Sequence, residues 1–231
     1  MQTLLEKMQF VFSNLIRITI IIALIGAALN SRWTVVFVST LALILTFLPA
    51  MIERNYRLSL PAEFEIIMVF FIYSSLFLGE VHDYYTRFWW WDIVLHTGSG
   101  LALGFIGFLI LFILYDERKI RAKPISIAIF TFCFGLAIGA LWEIFEFGMD
   151  NAFGLNMQKS GLTDTMWDLI VDAGGALVSA MIGFIYLKGG KTRLFKRLML
   201  KFMQENPRLF LRRELFDDNN LYKGKEITKN K

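Results

Sequence analysis

Apolar positions along this chain fall into six long runs, each followed by a short polar or charged linker. About 20 apolar residues are enough for a helix to cross the hydrocarbon of a bilayer. The pattern therefore predicts spans at about 10–29, 33–52, 62–79, 92–115, 125–150 and 164–187. Start signals agree with these limits. Ser59 and Pro61 precede the third run, and Glu63 and Glu65 in its first turn complement the helix dipole. Thr163 or Asp164 is placed to cap the sixth. The expected fold is all-α: a polytopic membrane helix bundle with six transmembrane helices over residues 1–187. A basic amphipathic segment follows over 188–216, and a polar tail over 217–231 is expected to be disordered.

Composition strengthens this picture. The chain is 56% hydrophobic and 16% aromatic, with a mean hydropathy of +0.53, which excludes an ordinary soluble domain. Cys133, the single cysteine, lies inside an apolar run and reads as a small core hydrophobe, so no disulfide framework forms within the chain. Lys7 and Arg17 ahead of the first apolar core resemble a signal-peptide n-region, and Gly26-Ala27-Ala28 a cleavage site; the stretch is nevertheless read as a retained span. Arg17 is expected to snorkel to the near interface, with pairing to an acid as the alternative.

Charge gives a sidedness. Six spans put both termini on one side, together with Lys7, Arg54, Arg57, Arg118, Lys119, Arg121, Lys123 and the basic tail. The other side has only Arg32, Arg87 and Lys159. The positive-inside rule then places both termini in the cytoplasm. In residues 188–201, Leu194, Phe195, Leu198 and Met199 oppose Lys191, Arg193, Lys196, Arg197 and Lys201, the pattern of a helix lying on anionic lipid. No nucleic-acid motif is present, and a homo-oligomer is left open.

The exceptions to the apolar pattern carry the chemistry. Glu80, Asp83, Asp92, Glu143, Glu146, Asp150, Asp164, Asp168 and Asp172, with His82 and His96, all fall at the outer ends of the last four spans. Glu143, Glu146 and Asp150 follow i, i+3, i+7; Asp164, Asp168 and Asp172 follow i, i+4, i+8; Asp92 and His96 follow i, i+4. At 1.5 Å per residue, Asp164 to Asp172 spans about 12 Å, so Asp172, Glu143 and His96 are the deep members. Gly100/Gly104 and Gly135/Gly139 are small-xxx-small pairs that permit close helix contact. Several carboxylates in one pocket cannot all ionise without cations or protons. Singly, Asp164 also reads as a helix cap, Glu80 and Asp83 as solvated loop acids, and His96 as a satisfied buried histidine. The run Trp89-Trp90-Trp91 reads first as an interfacial anchor.

Asp92-Ile-Val-Leu-His96-Thr-Gly98, Trp142-Glu143-Ile-Phe-Glu146, Asp164-Thr-Met-Trp-Asp168 and Asp172-Ala-Gly174 together resemble the YjdF-like predicted bacterial inner-membrane protein family, over roughly residues 60 to 187. That resemblance implies a membrane location and no particular mechanism. The D-x-x-x-H start of the fourth span is also similar to VanZ-like membrane proteins. D-x-x-x-D is shared with CDP-alcohol phosphotransferases, but the rest of that signature, including its Ala-Arg step, is absent.

The residues favour a metal-dependent hydrolase or transferase acting on a lipid or lipid-linked substrate at the outer leaflet. His96, Glu143, Glu146, Asp168, Asp172 and Asp92 are the expected ligands of a divalent metal (Mg, Mn, Ca or Zn). Asp92, Glu146 and Asp168 are the candidate catalytic carboxylates. A cation- or proton-coupled transporter or cation sensor is the alternative; a structural or assembly role is the third.

Overall fold

The structure is a computed structural model, and it describes residues 4–117, 119–154, 156–190 and 193–210. The expected tail at 217–231, and residues 211–216 of the expected interfacial segment, lie outside the described residues. The described chain is helical, and six candidate membrane-spanning helices are present among the described residues. Contacts divide the chain into two compact units, Met1–Leu95 and His96–Lys231.

In the first unit, α1 (Leu4–Leu29) packs against α2 (Trp33–Leu45) and α4 (Ala62–Ile72). Ile16, Ile20, Ala42, Val69 and Phe77 form its buried centre. The opposite faces carry exposed Phe10, Ile22, Leu29, Trp33 and Phe37. Such a surface is stable in hydrocarbon and a liability in water.

Two departures from straight helices follow from local chemistry. The second span breaks between α2 and α3 (Leu48–Tyr56), where Pro49 has no N–H to continue the ladder. Arg17 answers the break. Its Nη2 donates to the Thr46 carbonyl at 2.9 Å and its Nε to Thr46 Oγ1 at 3.1 Å, and its guanidinium lies 4.1 Å from the Phe47 ring centroid. The guanidinium thus closes a helix C-terminus, where the dipole favours a cation. The third span ends as a π-helix, Tyr73–Val81. Gly79 there lies under the Tyr85 ring, where any Cβ would collide. Tyr85 sits on the short α5 (Tyr84–Arg87), and beyond it Tyr84 and Trp91 meet edge to face at 4.9 Å.

The second unit is built on α6 (Trp91–Asp116) from His96 onward, α7 (Pro124–Phe153) and α8 (Leu162–Leu187). Glycine and alanine set their closest approach. A Cβ at Gly100 would strike the Asp172 carbonyl, and one at Gly175 the Thr97 carbonyl; one at Gly104 would lie 2.9 Å from Ser179 Cβ. From α7, Gly135 faces Ala176 Cβ, the Gly104 amide and the Gly100 carbonyl. Both small-residue pairs read from the sequence therefore serve as the contact seam. Ser179 adds a bond across it, its Oγ donating to the Leu101 carbonyl at 2.6 Å.

The basic helix α9 (Arg193–Glu205) differs from its expectation. Its apolar side is taken up by protein: Met199, Phe202 and Met203 are buried. Phe195 packs on Phe105, Phe108 and Tyr186 at 5.2–5.4 Å between ring centroids, and Phe210 on Phe112 at 6.2 Å. Gly183, near the end of α8, meets the Phe108 ring, so α8 stops about one turn short of the end of α6. The α9 aromatic side covers the flank that α8 leaves open. Arg193, Lys196 and Arg197 remain exposed.

Candidate functional site

Four ionisable side chains are buried near the seam: His96 from α6, Glu143 from α7, and Asp168 and Asp172 from α8. Their residues are 9%, 3%, 4% and 1% exposed. Buried charge at this density demands compensation, because each uncompensated ion costs several kcal/mol.

Asp172 is held on three sides. A Cβ on Gly139 would occupy the place of its carboxylate, so only glycine at that α7 position admits it. Its Oδ2 lies 3.3 Å from His96 Nδ1, and the Ser99 hydroxyl lies 3.0 Å from its Oδ1. The same hydroxyl is 2.8 Å from the His96 carbonyl oxygen. With Nδ1 turned to Asp172, the other ring nitrogen points the opposite way: Nε2 is 4.0 Å from Asp168 Oδ2. Asp92 stands one turn before His96 on the same helix. One ligand atom each from Asp92, His96 and Asp168 can be chosen so that all lie within 4.8 Å of one another.

A histidine that ligates a metal commonly has an orienting carboxylate placed as Asp172 is here. One ring nitrogen is fixed by a carboxylate so that the other can ligate, which sets the tautomer and raises ligand basicity. Asp92 and Asp168 would supply hard oxygen donors beside one imidazole, a set suited to Mn²⁺, Mg²⁺ or Zn²⁺. Asp172 has its two oxygens committed to His96 and Ser99, so it fits an orienting role better than a ligating one.

Glu143 is of another kind. Both its oxygens are buried and neither has a hydrogen-bond partner among the described residues. The Thr165 hydroxyl is near enough to interact with it but outside bonding geometry, and it takes the Gln158 Nε2 donor at 2.6 Å. His96, Asp172 and Asp164 are close enough to act on Glu143 through their charge.

The remaining expected acids divide differently. Glu146 is half-exposed, and its Oε1 accepts the Trp142 indole N–H at 2.9 Å on its own helix. It is not one of the three residues gathered within ligand distance. Asp150 accepts the backbone N–H groups of Met157 and Gln158 at 2.7 and 2.9 Å. Asp164 accepts that of Lys159 at 2.9 Å. These two therefore tie down the loop between α7 and α8, which leaves α7 through Gly154 in the left-handed conformation. Ser99 was not singled out by sequence reasoning. Its only signal is the i, i+3 spacing from His96.

Comparison with known proteins agrees on the kind of molecule. The family model described as predicted membrane protein (DUF2238) matches residues 12–189. A Thermotoga maritima protein described as uncharacterized is similar at 25% identity over 136 residues, covering 59% of this chain and 69% of its own. No solved structure matches.

Proposed function

We propose that this chain, which belongs to the DUF2238 family of predicted membrane proteins, binds a divalent cation at Asp92, His96 and Asp168. We further infer that it uses the cation as a hydrolase or transferase on a lipid or lipid-linked substrate. The observation that carries the reading is the chain of contacts from Asp172 through His96 to Asp168. A bound cation would polarise a phosphoryl or carbonyl oxygen and lower the pKa of a water. The chain's own part is to fix His96 through Asp172 and Ser99, to hold the carboxylates at ligand distance and to keep the deep end of the site dry.

Two features support a lipid substrate and a site that retains its cation. The helix turns that carry Glu143 and Asp168 also expose Leu141, Ile144, Met166, Trp167 and Ile170, so acyl chains would flank the site. One turn below Asp172, Gly100, Gly104, Gly135 and Ala176 meet at backbone distance, which argues against a polar path for transport. The resemblance to YjdF-like inner-membrane proteins favours the bacterial cytoplasmic membrane, and the bias of Lys and Arg favours both termini inside.

Metal analysis of the purified full-length protein, beside His96→Ala and Asp168→Ala, tests the reading. Bound divalent metal in the parent, lost in both variants, is the expected result. A parent that retains no metal overturns it and leaves a structural imidazole–carboxylate pair.

A further inference from the structure

We infer that Glu143 serves a second cation position, between α7 and α8, beside the one formed by Asp92, His96 and Asp168. This rests on the cation site proposed above and extends it from one ion to two. The observation that carries it is the state of Glu143: 3% exposed, with neither carboxylate oxygen hydrogen-bonded among the described residues. An ionised carboxylate in that setting is unfavourable by several kcal/mol unless a cation joins it. Glu143 stands outside the Asp92–His96–Asp168 group, so an ion bound there does not satisfy it directly.

Charge arithmetic points the same way. Asp92, Glu143, Asp164, Asp168 and Asp172 bring five carboxylates to this end of the three helices. One divalent ion, ligated by a neutral imidazole, would still leave an excess of negative charge. That field would repel an anionic headgroup, whereas a second divalent ion would let a phosphate approach. The groups that face Glu143 are those such an ion uses. Asp164 and the Thr165 hydroxyl lie on the adjoining turn of α8 and interact with it. Asp164 accepts the Lys159 amide N–H through Oδ2. Paired ions bridged by carboxylates from facing helices are an established use of helix bundles.

The test is Mn²⁺ binding to the full-length protein in detergent, by equilibrium dialysis with electron paramagnetic resonance. The expected result is two Mn²⁺ per chain with an exchange-coupled spectrum. Glu143→Gln, of nearly the same shape, should keep one, with a six-line spectrum. Should Glu143→Gln not be recovered folded, Asp164→Asn decides, and should weaken the second ion by at least about tenfold. One Mn²⁺ in the parent, or two that persist unweakened in the deciding variant, overturns the second position and leaves the first standing. No Mn²⁺ in the parent overturns the first position as well.

Discussion

The Asp172 carboxylate occupies the place where Gly139 would otherwise carry a Cβ. An alanine at 139 gains up to about 1 kcal/mol of helix propensity. Against this it must displace a buried carboxylate from His96, and overpacking of such a site is unfavourable by about 1–3 kcal/mol. Gly139→Ala should therefore lower stability, while Gly174→Ala, with nothing within 4 Å of its added methyl, should leave it unchanged or raise it. Thermal unfolding of the two variants in one detergent checks the difference. Equal stability would mean that the seam yields more than the contact implies.

Asp172→Asn separates orientation from ligation. The amide oxygen can still accept from His96 Nδ1, but without charge, so the imidazole becomes a weaker ligand. Loss of such an orienting carboxylate weakens metal binding by about 10–100-fold. Mn²⁺ titration should show that loss with the fold retained. Ser99→Ala should give a smaller one, since it removes a single hydroxyl contact to Asp172. Complete loss of metal in Asp172→Asn would instead make Asp172 a ligand.

Much of this is readable from sequence, and the failures have physical causes. Apolar runs report bilayer crossing directly, because length and hydropathy are what the bilayer selects. Asp92 and His96, or Asp168 and Asp172, share a face because i, i+4 spacing admits no other arrangement on one helix. Glu143 and Glu146 lie about 60° apart around α7, and spacing alone does not decide which edge enters a narrow seam. Gly139 and Asp172 put Glu143 inside, and the Trp142 indole takes Glu146. The apolar side of α9 is likewise ambiguous, because the pattern is the same whether lipid or Phe108 covers it. The Arg17–Thr46 contact is not legible because the carbonyl is freed by a break that only Pro49 hints at.

Glu143 should limit stability where no cation is present. Replacing a buried, unpartnered carboxylate by an apolar group of similar length removes its desolvation penalty. Glu143→Met should raise stability in the presence of a chelator by about 1–3 kcal/mol, read as a higher Tm. It should also blunt the stabilisation that added Mn²⁺ confers, about 2.7 kcal/mol at a hundredfold excess over Kd. A variant less stable than the parent in chelator would show that Glu143 is compensated within the protein.

Arg17 should matter to the first unit through hydrogen bonds rather than through its charge alone. Arg17→Lys keeps the charge but has no fork to reach both Thr46 Oγ1 and the Thr46 carbonyl. Bonds from a charged donor contribute about 1.5–3 kcal/mol, so Arg17→Lys should lose most of what Arg17→Ala loses. Stability curves that place lysine beside the parent would show that charge at the interface is enough.

The two sides of α9 should fail in different assays. Met199 and Phe202 are 0% and 4% exposed, and truncating a buried methionine to alanine is unfavourable by about 2–5 kcal/mol. Met199→Ala should thus lower stability in any detergent or lipid. Lys196→Gln with Arg197→Gln changes exposed groups and should leave stability in neutral detergent unaltered. If this side meets anionic headgroups, each basic residue contributes about 1 kcal/mol, and the contribution fades as salt shortens the screening length. Bilayer discs of phosphatidylcholine, with and without phosphatidylglycerol, provide the comparison. The parent should gain stability from the anionic lipid at low salt, and the double variant should lose most of that gain. Equal gain in both would mean that the cations of α9 do not meet lipid.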